Sequence, residues 1–373
     1  MSALRAGVCA LAAALAAGCA FFEPAKPKPE PLEDIKPQIA GRMVWSQRVG
    51  DLGPLLAPTA NAAAVTVASL DGRVVAFAPD TGRELWRGDT DAKLSAGVGS
   101  DGRFAAVVTT ANDLVVLDAG KPVWRARLST RIVTPPLVAG ERVFVLGVDR
   151  SVQAFDALDG RKLWAQQRPS DPLTLLQPGV LMAWKDTLVA GQGPRLAGFD
   201  PLRGTLRWET TVASPRGTNE VERLADLVGP AARTGDTICA RGFQAAVGCV
   251  DAAKGNLLWA RPAGGVAGVA ADDTAVVAAD AVGRLQAWKT RSGEPLWNSD
   301  RFQHRVLGSP LALERIVVFG DGDGLLHFLD RDSGRTLLRL PTDGRPIVAA
   351  PVRVGTTMIA VTQGGGVYAF RPE

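Results

Sequence analysis

Asp71-Gly72-Arg73-Val74-Val75-Ala76-Phe77-Ala78-Pro79-Asp80-Thr81-Gly82-Arg83-Glu84-Leu85-Trp86 is the stretch from which the rest of the chain can be read. Asp71-Gly72 supplies the positive φ angles of a tight hairpin turn, and Arg73–Phe77 is a short apolar strand. Asp80-Thr81-Gly82 makes a second turn, and the strand after it ends on Trp86. Val74 and Ala76 make one face of Arg73–Phe77 apolar, and Val75 and Phe77 the other. A strand covered on one side would alternate with polar residues, so this one must be covered on both.

The phrase recurs along the chain. After Phe77…Gly82…Trp86 come Leu117…Gly120…Trp124, Phe155…Gly160…Trp164, Phe199…Gly204…Trp208, Val250…Gly255…Trp259 and Trp288…Gly293…Trp297. Leu329…Gly334…Leu338 carries Leu in the Trp position, Trp45 stands alone ahead of the series, and Val367–Phe370 ends it without a Trp strand. Successive positions from Trp45 to Leu338 are 41, 38, 40, 44, 51, 38 and 41 residues apart. A period near 40 built of four short strands is a β-propeller blade. The expected fold is therefore all-β, an eight-bladed β-propeller of four-stranded antiparallel blades. Pairing the N-terminal strand at Trp45 into the last blade closes the ring, and losing Val367–Phe370 would unclasp it. Each Trp can bury about 150–250 Å², at most roughly 4–6 kcal/mol. That assigns the Trp set to architecture rather than to cofactor binding.

Composition agrees. Gly 41 and Pro 25 in 373 residues imply many turns and few long helices. The net charge of +4 is mild and its Lys and Arg are scattered, without the basic stripe and aromatic platforms of a nucleic-acid binder.

Met1–Gly18 has the form of an export signal: Arg5, an apolar run over Ala6–Ala17, then Ala16-Ala17-Gly18 before a cut. With Cys19 next, the stretch resembles the bacterial lipoprotein signal, in which that Cys becomes the lipid-modified first residue. Ala16 stands where that pattern prefers Leu. Ala20, rather than Asp, resembles lipoproteins sent to the outer membrane. No other apolar run reaches the length of a transmembrane helix. Phe21–Ala40, with Pro24, Pro27, Pro29, Pro31 and Pro37 among Lys and Glu, is expected to be an extended tether. At about 3.1 Å per residue such a tether spans roughly 60 Å. The propeller itself is expected over 41–373.

Cys9 leaves with the signal. Cys239 and Cys249 lie equally far from Gln244, so a three-residue hairpin loop sets them opposite each other. An exported domain permits a disulfide there, the other arrangement being two packed thiols.

Catalytic constellations are thin. His304 and His327 have no metal-ligand spacing, and His327 in Leu325-Leu326-His327-Phe328 reads as a packed side chain. Gly320-Asp321-Gly322-Asp323-Gly324 falls on an expected hairpin turn and lacks the terminal acidic residue of a calcium loop. The period stretches only where two consecutive blade-to-blade links are long, Ala165–Met182 and Glu209–Arg233. Both emerge on one face, and long loops on a rigid scaffold are where a partner binds. The first offers Pro172, Leu173, Leu175 and Leu176; the second offers Glu220, Glu222, Arg223 and Asp226.

The Asp-x-x-Thr-Gly-x-x-Leu-Trp repeat resembles the pyrroloquinoline-quinone-type propeller repeat. Within that group the lipoprotein signal, the Pro-rich segment leading into Val44-Trp45, Thr218–Asp226 and His304–Pro310 resemble the BamB family of outer-membrane protein assembly factors. The resemblance implies a non-enzymatic, cofactor-free scaffold in the machinery that inserts β-barrels. Such a scaffold is anchored by Cys19 on the periplasmic face of the outer membrane, beside other assembly lipoproteins. It also implies docking on the POTRA domains of a BamA-type insertase through a Leu-x-Leu-Arg loop and an acidic loop. Leu173 and Leu175 match the first, with Leu176 in place of Arg. Asp226, near Arg223, matches the second, with Val228 in place of a further Asp. A quinoprotein dehydrogenase shares the repeat, but such enzymes carry adjacent cysteines and long cofactor loops that this sequence lacks. A propeller binding a ligand in its central channel is the third class.

Overall fold

The computed structural model describes residues 27–168, 173–214 and 218–372. The signal segment, Cys19 and Pro172 lie outside the described residues. Among the described residues thirty-two strands form eight four-stranded antiparallel sheets, each built from strands consecutive in sequence except one. The exception joins Gly41–Arg48 to Gly366–Pro372, Thr357–Val361 and Val352–Val354, so the first strand of the chain is the outer strand of the eighth blade. Blades 1 to 7 span 59–89, 99–127, 137–166, 181–211, 227–262, 270–299 and 311–341. The second strand of each blade has no exposed residue, as in Val65–Ala68 and Phe104–Val108. This is what two apolar faces per strand require once blades stack side by side.

The repeated phrase has a structural cause. In all eight blades the register between the third and outer strands shifts by one residue near the Trp position, as between Ala76 and Phe77 or Ala154 and Phe155. A one-residue slip exchanges the faces of every later side chain. The bulge therefore leaves Leu85 on the outside, 39% exposed, and turns Trp86 towards the next blade. There each Trp meets the turn glycine of its neighbour. A Cβ on Gly82 would lie 2.6 Å from Trp45 Cδ2, one on Gly160 2.6 Å from Trp124 Cδ2, and one on Gly204 2.5 Å from Trp164 Cε3. These glycines also have φ between 69° and 75°, which disfavours any side chain. The indole N–H then donates across the junction, from Trp45 to Pro79 O at 3.0 Å, Trp164 to Pro201 O at 3.0 Å and Trp259 to Thr290 O at 2.7 Å.

Two departures follow from this lock. Blade 8 has no hairpin between its third and outer strands, because these come from opposite ends of the chain. A Trp on blade 7 would find no turn glycine to rest on, and Leu338 stands there instead, against Gly41. Trp208 leans back over Gly198 of its own blade, and its buried indole N–H finds no acceptor among the described residues. Thr210 Oγ1 donates to Gly255 O at that junction in its place.

Residues 30–39, within the segment expected to be an extended tether, lie against the ring. Glu30 N–H donates to Gln303 O at 2.9 Å, Gln38 N–H to Leu337 O at 2.8 Å, and Leu32 and Ile39 pack against the apolar clusters flanking blade 7. Proline-rich composition argued against a folded segment, but the segment needs no core of its own when an existing edge receives it.

Candidate partner face

Turns between second and third strands leave the ring on the same side as the links between blades, here called the link face; hairpins such as Asp80–Gly82 leave on the opposite, turn face. The two long links are shorter than the repeat spacing implied, 167–180 and 212–226 rather than Ala165–Met182 and Glu209–Arg233. The difference in the second arises because Leu227–Thr234 is an eight-residue inner strand whose register breaks between Val228 and Ala232. Val228 therefore belongs to a strand and is 2% exposed.

The end of the first link is tied to its neighbours. Gly229 N–H donates to Pro178 O at 2.8 Å, Leu227 N–H to Gly193 O at 2.8 Å, and Gly179 N–H to Thr134 Oγ1 at 2.9 Å. Glu209 ties the start of the first link to blade 4, pairing with Arg168 and, at 2.6 Å, with Arg195. Burial alone would raise the Glu209 carboxyl; the two guanidinium groups hold it below its ordinary value.

Leu175 and Asp226 line one small cleft of about 40 Å³ with Thr134, Arg150, Gln177 and Val228. The Asp226 carboxylate is engaged within the chain: Arg150 Nη2 lies 3.1 Å from its Oδ1 and Nε 3.2 Å. Leu173 is half-buried at the start of the described part of the link, and Leu176 is 50% exposed. Arg223 is exposed and sits in a compact turn, its N–H donating to Asn219 O at 3.2 Å. Glu222 closes that turn by accepting from Thr218 N–H at 2.9 Å, which with Asn219 holds its carboxyl below the usual range. The structure thus brings Leu175 and Asp226 together and places Arg223 on a separate turn. Sequence reading missed Arg150, which comes from a blade 3 hairpin 76 residues away, and Val221, 69% exposed between two acidic neighbours.

His304–Pro310 lies in the link between blades 6 and 7, residues 300–310. Arg305, 8% exposed, donates Nε to Asp321 Oδ2 at 3.2 Å and Nη2 to Asp323 at 2.6 Å. Asp321 is fully buried and also accepts from Leu325 N–H at 2.9 Å, so its carboxylate is used up by the turn and its neighbours. His327, also fully buried, places Nε2 2.9 Å from Asp321 Oδ2, and Arg339 Nε lies 3.4 Å from its Nδ1. That arrangement fits a neutral ring with the proton on Nε2. Burial pushes the imidazole below its ordinary value, against the pull of Asp321, and the nearby Arg339 and Arg305 push the same way. No group of three or more metal-ligating side chains occurs among the described residues.

A central cavity of about 580 Å³ is lined mainly by Pro, Val, Ala and Gly from the inner strands and the links that lead into them. Pro58, Pro136, Pro310 and Pro351 each directly precede an inner strand. A proline there removes a donor from the inner edge and blocks further strand pairing. Cys239 and Cys249 are paired in register between the second and third strands of blade 5 and joined by a disulfide.

Fold and repeat define the class: an eight-bladed propeller of the pyrroloquinoline-quinone-type repeat. A protein-family profile described as "Outer membrane protein assembly factor BamB" matches residues 70–299 and 263–373. The outer membrane protein assembly factor BamB of Burkholderia pseudomallei (strain K96243) is 39% identical over 369 residues, covering 98% of this chain and 97% of that one. That of Bordetella pertussis (strain Tohama I) is 34% identical over 360 residues, 95% of this chain and 93% of its own. The chain belongs to the BamB family. Among solved structures, BamB from Moraxella catarrhalis superposes with a TM-score of 0.80 at 22% identity, covering 89% of this chain and 99% of that one. Quinohemoprotein alcohol dehydrogenase from Comamonas testosteroni reaches 0.68 at 15% identity over 89% of this chain and 76% of its own, a likeness of fold alone.

Proposed function

We propose that this chain is a non-enzymatic scaffold subunit of the outer-membrane β-barrel assembly machinery, docking on the POTRA domains of a BamA-type insertase alongside other assembly lipoproteins. Family membership over almost the full length is the observation that carries this reading. In it, Met1–Gly18 is the export signal and Cys19 the lipid anchor that holds the propeller on the periplasmic side of the outer membrane. The docking patch is the link face over blades 3 to 5. Leu173, Leu175, Leu176 and Val221 supply its apolar centre, and Arg223 with the Arg150–Asp226 pair its polar rim, the usual anatomy of a protein interface.

What supports the placement is rigidity. The described ends of both links are bonded to the ring, Pro178 to Gly229 and Gly179 to Thr134 in the first, Val212 to Pro194 and Asp226 to Phe243 in the second, so these ends have little entropy to lose on docking. With Leu176 where the family resemblance expects Arg, the first link contributes apolar contact rather than charge.

The test is capture from detergent-solubilised membranes with the Cys19-bearing chain as bait. A large barrel protein with POTRA domains is the expected companion. Its absence, or quinone-dependent dye reduction by the purified chain, would contradict the proposal.

A further inference from the structure

The N-terminal segment is bound along the outer edge of blade 7 by contacts spread over its length. At the link face Glu30 N–H donates to Gln303 O at 2.9 Å, and Arg305 Nη1 donates to Glu30 O at 3.0 Å. Midway, the Glu33 carboxylate accepts from Thr336 Oγ1 at 3.0 Å and pairs with Arg301 at 3.3 Å, while Arg339 Nη1 donates to Glu33 O at 3.3 Å. Towards the turn face Gln38 N–H donates to Leu337 O at 2.8 Å. Leu32 packs on the apolar cluster between blades 6 and 7, and Ile39 reaches the cluster between blades 7 and 8, where Leu338 stands instead of Trp.

We propose that residues 30–39 form a docked strap that brings the lipid-bearing N-terminus out of the ring at the link-face rim between blades 6 and 7. That rim is then the part of the propeller held against the phospholipid bilayer. The inference rests on Cys19 being the anchor, as proposed above.

Chain length supplies the argument. An unbound tether from Cys19 to Ala40 has 21 peptide steps, but with the strap seated only the ten from Cys19 to Pro29 remain. Ten steps reach at most about 36 Å, roughly half of the free reach. A leash this short, starting from one place on the rim, gives direction as well as proximity.

The rim suits that role. Val306, next to the Arg305 that holds Glu30, is 68% exposed at the mouth of the central cavity, and Val282, whose carbonyl accepts from His304 N–H, is 45% exposed. Val306 holds φ at 54°, a conformation β-branched residues rarely adopt. Its neighbour Arg305 is fixed by Asp321, Asp323 and Glu30, which over-determines the loop. In a ring of eight, the rim between blades 6 and 7 lies about two and a half blades from the centre of the patch over blades 3 to 5. Bilayer and partner thus engage separate parts of one face and need not compete.

Two measurements on full-length protein test this. In the unlipidated Cys19→Ala chain, hydrogen exchange at the Glu30 and Gln38 amides is expected to run at least about tenfold slower than in a free chain. Glu33→Lys, placing a cation beside Arg301 and Arg339, is expected to abolish that protection without unfolding the ring. Exchange of both amides at free-chain rates in the Cys19→Ala chain overturns the strap. In the lipidated chain on phosphatidylethanolamine–phosphatidylglycerol vesicles, nitroxides at Val306→Cys and at Leu158→Cys on the turn face are compared for collisions with a headgroup-linked nickel chelate. Severalfold more collisions at 306, equalised by Glu33→Lys, is the expected result. Equal collisions without Glu33→Lys overturn the rim assignment. Failure of the chain to associate with vesicles removes the anchor and the rim together, while the exchange result separately decides the strap.

Discussion

Gly204→Ala isolates the lock between blades. The added Cβ falls 2.5 Å from Trp164 Cε3 and 2.6 Å from Cδ2, and the backbone there has φ of 71°. Holding an alanine in that left-handed conformation costs about 1–2 kcal/mol. Moving the indole aside adds roughly 1–3 kcal/mol of overpacking, and losing its bond to Pro201 O adds about 0.5–1.5 kcal/mol. Gly140→Ala is the matched control on blade 3: φ is 57°, and nothing lies within 4 Å of the added atom. It carries the backbone cost alone. Urea unfolding followed by tryptophan fluorescence reads the difference, about 1.5–4.5 kcal/mol. With a slope of about 3 kcal/mol per molar, that is a midpoint lower by about 0.5–1.5 M for Gly204→Ala than for Gly140→Ala. Equal midpoints would refute the claim that the glycine is there for the Trp.

Trp164→Phe should destabilise the ring more than Trp208→Phe, by about 0.5–1.5 kcal/mol in the same assay, because Trp164 loses a bonded indole N–H and Trp208 an unbonded one. Stability should also fall as pH drops below about 6.5. His327 has a depressed folded pKa, so the unfolded chain takes up its proton first and gains in the balance. Asp321, also depressed despite its burial, loses its contribution only lower, as pH falls through a folded value under 3.8. His327→Gln, whose amide can still donate to Asp321, should flatten the part of the unfolding profile that begins near 6.5 and leave the more acidic part in place. Retention of the upper limb would reassign it to another group.

The repeat was legible because its parts are close in sequence and each answers a local need: Gly for the turn, Trp for the next blade. Ring closure was legible from the unmatched copies at Trp45 and Phe370. The one-residue bulge was not, since adjacent Leu85 and Trp86 fit either register until the neighbouring blade decides which is buried. Leu338, where the repeat has Trp elsewhere, marks the junction that lacks a hairpin. Long-range chemistry stayed hidden for a similar reason. Nothing near Arg150 signals that Asp226 will be its partner, and nothing in a Pro-rich segment signals that Glu33 will meet Arg301 and Arg339. At the candidate face, Leu175 and Asp226 were found together, but Asp226 is less available than its sequence context suggested. Asp226→Arg would set two guanidinium groups against each other in the cleft, so its effect on binding cannot be read apart from stability.

Exposed positions give the cleaner measurement. Purified POTRA domains of a BamA-type insertase are titrated against the unlipidated chain and against Leu176→Asp, Val221→Asp and, on the turn face, Leu202→Asp, which is 61% exposed. At least one of the two link-face variants should weaken binding by about tenfold or more, with unchanged unfolding midpoints, while Leu202→Asp binds as the parent does. Equal binding by all four proteins, or loss confined to Leu202→Asp, would contradict docking through the link face.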